Sequence, residues 1–89
     1  MSAITERKKA VFARASIGTL IQSAFTMEAI ESPSQEERMV RAWIFDEIER
    51  RVGQITLDEE HEFERVYDET NSYLAALIHI RPQLADYPR

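Results

Sequence analysis

Two glycines and three prolines are the only residues in this 89-residue chain that interrupt regular structure through backbone chemistry alone. So few breaks, in a sequence rich in Ala, Glu, Arg and Ile, favour a small number of long helices over many short strands. The breaks that do occur divide the chain cleanly. In "ESPSQEE", residues 31 to 37, Ser32 or Ser34 can cap a helix. Pro33 suits a first helical turn there, and both Ser32 to Gln35 and Ser34 to Glu37 have capping-box spacing. Gly53 stands where a helix begun there would need a left-handed terminator. Thr56 and Glu59 form another capping box, with acidic residues in the first turn where the helix dipole favours them. Pro82 ends the last helical pattern, because its ring removes a helical hydrogen bond.

Three helices follow, over about residues 3–31, 34–52 and 57–81, with an irregular tail over 82–89 in which Leu84 and Tyr87 can fold back. The first has Ser2 or Thr5 as a cap. Its face Ile4, Val11, Phe12, Ala15, Ile21 and Phe25 is widened by Ile17, Leu20, Ala24, Met27 and Ile30, which suits a central helix. Gly18, mid-helix, is best explained by the close approach of another backbone. The third helix reads Phe63, Val66, Tyr67, Thr70, Leu74, Leu77, Ile78 and Arg81 along one stripe, in phase through the polar "TNS" at 70–72. With no repeat and no long linker, residues 1–89 form a single all-α domain, three helices packed antiparallel. At 1.5 Å per residue the outer two are roughly 37–44 Å long. A domain of this size buries only roughly 60–65% of the surface of its unfolded chain, so self-association into a dimer is expected.

The second helix sharpens that expectation. In "RAWIFDEIERRV", residues 41 to 52, Trp43 and Phe45 point about 200° apart on a helical wheel. Ile44, Ile48, Val52 and Phe45 share one side, Trp43 lies on the other, and Glu47 and Arg51 fall between them at the spacing of an ion pair. Either both sides are covered within one chain, with Glu47 and Arg51 reaching solvent, or one side meets a second chain. The second reading is the one expected, since a large aromatic and an arginine are residue types that dominate interface energetics. Residues 36–51, "EERMVRAWIFDEIERR", resemble a stretch found in short helical accessory proteins of actinobacterial phages and related mobile elements. The resemblance implies a small cytoplasmic protein that binds a host or phage protein; it transfers no functional residue.

Charge narrows the partner. The net charge is −5, but Arg7, Lys8, Lys9 and Arg14 near the start face only Glu6, whereas residues 53–69 hold seven acids against Arg65. Most of such a surface repels nucleic acid. A small DNA-binding regulator using the basic start of helix one, "ERKKAVFAR", is therefore the alternative rather than the lead. The acidic helix could instead attract a basic protein patch or imitate DNA. The uncharged run "ASIGTLIQSAFTM", residues 15 to 27, is too polar for a signal peptide or a membrane span.

Chemistry finds little purchase. With no cysteine, disulfides and thiolate metal sites are excluded. Glu60, His61, Glu64 and Asp68 match neither the HExxH nor the di-iron bundle pattern, and read as a solvated face. His79 reads as a packed or dipole-stabilising residue. No nucleophile elbow or phosphate loop occurs. A metal-dependent helical enzyme is thus a distant third, with no catalytic, cofactor-binding or metal residue expected. The lead expectation is a non-enzymatic interaction protein, a homodimer that occupies a surface of a partner protein. Met39, Arg41, Trp43 and Phe45 are its candidate contacts, with Glu62 and Asp68 on the acidic face.

Overall fold

A computed structural model describes residues 3–87, with side chains from Glu6 onward. The described residues are helical without strands: α1 (Ala3–Arg14), α2 (Ile17–Glu28), α3 (Gln35–Val52), α4 (Leu57–Thr70), α5 (Tyr73–Ile80) and a closing 3₁₀ turn (Pro82–Asp86). Of the two expected caps, Ser2 lies outside the described residues and Thr5 falls within α1 rather than before it; the side chains of Ile4 and Thr5 lie outside the described ones.

The capping signals act as the sequence indicates. Of the two candidates at the second helix, Ser34 is the cap: its Oγ accepts from the Glu37 amide at 3.1 Å, and the Glu37 carboxylate accepts from the Ser34 amide at 2.8 Å. Thr56 and Glu59 open α4 in the same reciprocal way. Gly53 ends α3 where expected, but at φ +100° and ψ 135° rather than as a left-handed helical terminator, a region likewise closed to most side chains. Pro82 begins the 3₁₀ turn, so residues 82–86 of the expected irregular tail are regular; Leu84 enters the core and Tyr87 folds back onto α2. The ring of Tyr87, not another backbone, is what approaches Gly18: an added Cβ would lie 3.4 Å from its Cδ1.

Two expected long helices are each divided. The helix placed over 3–31 bends at Ala15–Ser16, where Ser16 turns to an extended backbone and caps α2 through the Thr19 amide. The helix placed over 57–81 breaks at Asn71, which adopts a left-handed φ of 54° and ψ of 30°, and Ser72 then caps α5. Asparagine tolerates that conformation better than most residues because its side chain is short and polar. The polar "TNS" that looked like an in-phase surface patch is therefore a helix stop followed by a helix start.

Folding back changes the arithmetic of burial. Leu20, Ile21 and Ala24 of α2, Ile44, Phe45 and Ile48 of α3, Leu74 and Leu77 of α5, and Leu84 make one core, with Val66 of α4 also buried. The described chain spans 37 × 27 × 26 Å. The expected rods of roughly 37–44 Å are thus each two shorter helices. The bend also turns the expected inward face of the first helix partly outward: Val11 is 63% exposed and Phe25 53%.

Three side chains fasten these short helices by their ends. The carboxylate of Glu28, last residue of α2, accepts from the Ser72 hydroxyl at 3.0 Å and from the amides of Tyr73 and Leu74 at 2.8 and 3.2 Å, capping α5 from a distance. Arg51 of α3 donates to the carbonyls of Phe12 and Ala13 at 3.0 Å and of Ala15 at 2.5 Å, closing α1, while Glu47 holds its Nε at 2.8 Å. Arg81 donates to the carbonyls of Val52 at 3.1 Å and Gln54 at 2.8 Å, closing α3, and pairs with Glu59. A cation at a helix C-terminus and an anion at an N-terminus each satisfy orphan backbone groups and oppose the helix dipole.

Candidate functional site

The 18-residue α3 runs through the middle of the fold with different neighbours on its two flanks. Phe45 belongs to the inner side: it is 5% exposed, its ring 4.5 Å from that of Tyr73, which meets Phe63 edge-on at 4.8 Å. Trp43 lies half-buried on the other flank, beside Phe12 and with Lys9 Nζ 5.7 Å from its ring centroid. Both rings named as partner contacts are therefore covered within the chain, Phe45 by α5 and Trp43 in part by α1. Phe45 is thus reachable only where it lines the cleft on its own flank, and the large apolar side chains left at the surface are others, among them Val11, Phe25, Met39 and Leu57. Nor do Glu47 and Arg51 reach for solvent: they turn to the end of α1.

On the Phe45 side, α3, the α2–α3 loop and the α4–α5 junction enclose a cleft of about 460 Å³. That size is in the range of small-ligand and peptide side-chain sites. Arg38, Arg41, Phe45 and Glu49 line it at three- and four-residue spacings, so they form one stripe of the helix, with Asp46 beside them. Glu28, Glu31 and Pro33 form one wall, and Tyr67, Asn71 and Tyr73 the other. Tyr67 remains 41% exposed there.

Its polar groups fall into two sets. Glu28 is committed to the start of α5, and the half-buried Glu49 accepts from the Tyr73 hydroxyl at 2.9 Å. Burial pushes the Glu49 carboxyl above its ordinary value, with Asp46 adding to the push, while the Tyr73 bond and Arg81 oppose it. Burial and the facing Glu49 push the Tyr73 hydroxyl up. Arg38 and Arg41 differ: among the described residues neither guanidinium makes an ion pair or hydrogen bond. The two arginines share the end of the cleft near the α2–α3 loop with the exposed Glu31, and Asp46 and Glu49 occupy the end about 12 Å further along α3.

The remaining expected residues scatter. Met39 is 44% exposed outside the cleft, and Asp68 is exposed on α4. Glu62 pairs with Arg65 at 2.9 Å and with His79 at 3.0 Å, and its pKa is lowered to about 2, first by Arg65 and then by His79. His79 thus tethers α5 to α4 at the surface. Among the described residues no three His, Asp or Glu side chains are placed to hold a metal ion, and no helix is long and apolar enough to cross a membrane. At the basic start of α1, Lys8 pairs with Glu36 of α3, and Lys9 sits over Trp43.

The structure therefore brings Arg41 and Phe45 together and separates both from Trp43, Met39, Glu62 and Asp68. Arg38, Glu49, Tyr67 and Tyr73 complete the cleft and were not singled out. The α3 stripe is legible on a helical wheel, but Tyr73 and Tyr67 reach it only because the chain breaks at Asn71. No family model, curated protein or solved structure matches the chain.

Proposed function

We propose that the chain is a small, non-enzymatic protein-interaction module whose α3 cleft receives an acidic segment of a partner protein. The observation that carries this reading is the pair of uncommitted guanidinium groups, Arg38 and Arg41, beside a floor of aromatic rings. Arginine recognises carboxylates bidentately, and arginine and tyrosine are the side chains on which binding energy concentrates. The segment best suited to the cleft carries Asp or Glu at the arginine end and an apolar or aromatic side chain over Phe45 and Tyr73. A basic group at the far end would meet Asp46. Since α3 contains the 36–51 stretch that resembles phage accessory proteins, host and phage proteins are the natural candidates to supply the segment.

Selection from a library of random displayed peptides tests the proposal. Enriched sequences should contain an acidic residue near an aromatic or aliphatic one, and Arg41→Ala should weaken their binding by roughly tenfold or more, about 1.4 kcal/mol. Enrichment of sequences whose affinity ignores both Arg38→Ala and Arg41→Ala removes the assignment.

A further inference from the structure

The bend between α1 and α2 is not dictated by the residues in it. "FARASIGT", residues 12 to 19, has no proline, and its glycine lies inside α2 rather than at the bend. In an uninterrupted helix the carbonyls of Phe12, Ala13 and Ala15 accept from the amides of Ser16, Ile17 and Thr19. In the bent chain substitutes hold both sides of that seam. Arg51 donates to all three carbonyls, and Ser16 Oγ takes the Thr19 amide at 3.2 Å. The three carbonyls and the Thr19 amide thus have partners in both the bent and the straight form, whereas the Ser16 and Ile17 amides gain theirs only in the straight one.

The helix beyond the bend is lightly held. None of the described side chains of α1 is buried, and α1 packs chiefly against α3. Among the described residues its attachments include the Lys8–Glu36 pair, Lys9 over Trp43, the half-buried ring of Phe12 and the Arg51 cap. The first three of these can equally be made by an α1 that arrives from a different molecule.

We propose that the α1–α2 bend is a hinge, and that straightening it into one helix lets two copies of the chain exchange α1, each laying it on the other's α3. The occupant of that α3 flank is then a second copy, and the match between them is the one already present within the chain: the same ion pair, the same cation over the same ring. Exchange of an identical element needs no new surface. The Arg38–Arg41 cleft contains no residue of α1, so an exchanged dimer carries two intact clefts. Arg51 and Ser16 set the balance. Arg51→Met frees the α1 carbonyls and leaves Glu47 its bond to Arg50; Ser16→Ala removes the cap that starts α2 afresh.

The chain has no cysteine, so Lys8→Cys with Glu36→Cys supplies a single reactive pair. A short bis-maleimide bridges that pair within one chain when α1 is folded back and between two chains when it is exchanged. Full-length chains are held at graded concentrations, diluted to a common low concentration and bridged at once, so that chance collisions do not contribute. On denaturing gels the covalent dimer should grow with the holding concentration, and Arg51→Met with Ser16→Ala should increase it several-fold. Bridging only within chains, at every concentration and in both backgrounds, overturns the proposal. If the double variant loses its helical circular dichroism, the concentration series without it decides: a rising covalent dimer supports exchange, and a constant absence refutes it.

Discussion

Glu28→Ala should be among the most damaging substitutions of any side chain outside the core. Glu28 ends α2, where the dipole of its own helix disfavours a negative charge. It is held there by α5, whose hydroxyl cap and first two amides it accepts from at 3.0, 2.8 and 3.2 Å. With only eight residues, α5 is far too short to persist alone, yet it contributes Leu74, Ala76 and Leu77 to the interior. Removing the carboxylate strands the Tyr73 and Leu74 amides in a partly buried seam. Hydrogen bonds to a charged acceptor contribute about 1.5–3 kcal/mol in such settings, and the amides regain part of that from water, so the net cost is about 2–3 kcal/mol. A chain of this length has roughly 5–13 kcal/mol in all. The corresponding fall in melting temperature is roughly 10–20 °C. Glu28→Gln keeps an acceptor without the charge and should recover about half. Urea titrations followed by far-UV circular dichroism measure both; a Glu28→Ala protein within about 0.5 kcal/mol of wild type refutes this account of how α5 is anchored.

Other perturbations follow from the same geometry. Gly53→Ala introduces no clash, since the new Cβ would lie 3.6 Å from the Arg81 side chain, but it forces a side chain into φ +100° and should cost about 1–2 kcal/mol in a urea titration. The Arg81 guanidinium, ahead of the Thr56 backbone, lowers the Glu59 pKa from its ordinary 4.5 to about 2, so this pair stabilises the fold above about pH 4.5 and loses its contribution as pH falls toward 2. Arg81→Gln should flatten that acid limb of the stability curve, and an unchanged slope would show that the pair does not report folding. Glu49 has the opposite sign: its pKa is raised by burial, so its ionisation works against folding as pH rises through the folded value. Glu49→Gln keeps an acceptor for the Tyr73 hydroxyl and should leave stability at neutral pH equal to or above wild type; a clear loss there would contradict the burial argument.

What the sequence disclosed follows the range of the forces involved. Capping boxes are local, so Ser34–Glu37, Thr56–Glu59 and the Gly53 stop can be read from a few neighbouring residues. The break at Asn71 also had a local signal, an asparagine followed by a capping serine, which the unbroken hydrophobic stripe through Leu74 and Leu77 outweighed. The bend at Ala15–Ser16 has weaker local cause, because the group that stabilises it, Arg51, comes from 36 residues away. The competing claims of Trp43 and Phe45 were visible as a pair of opposed rings. Which of them faces inward depends on where α1 and α5 settle, and that in turn depends on the two breaks. The cleft was half legible for the same reason: its α3 stripe is periodic, whereas its tyrosine wall exists only once α4 and α5 have parted.

The claim on which the functional reading stands is that the Arg38–Arg41 side of α3, not the Trp43 side, receives a partner. Amide and indole chemical shifts, followed by NMR while a library-selected acidic peptide is added, test it directly. The expected result is movement of Arg38, Arg41, Phe45, Asn71 and Tyr73 with the Trp43 indole unmoved. Shifts confined to Lys9, Phe12 and the Trp43 indole, with the cleft silent, would contradict it.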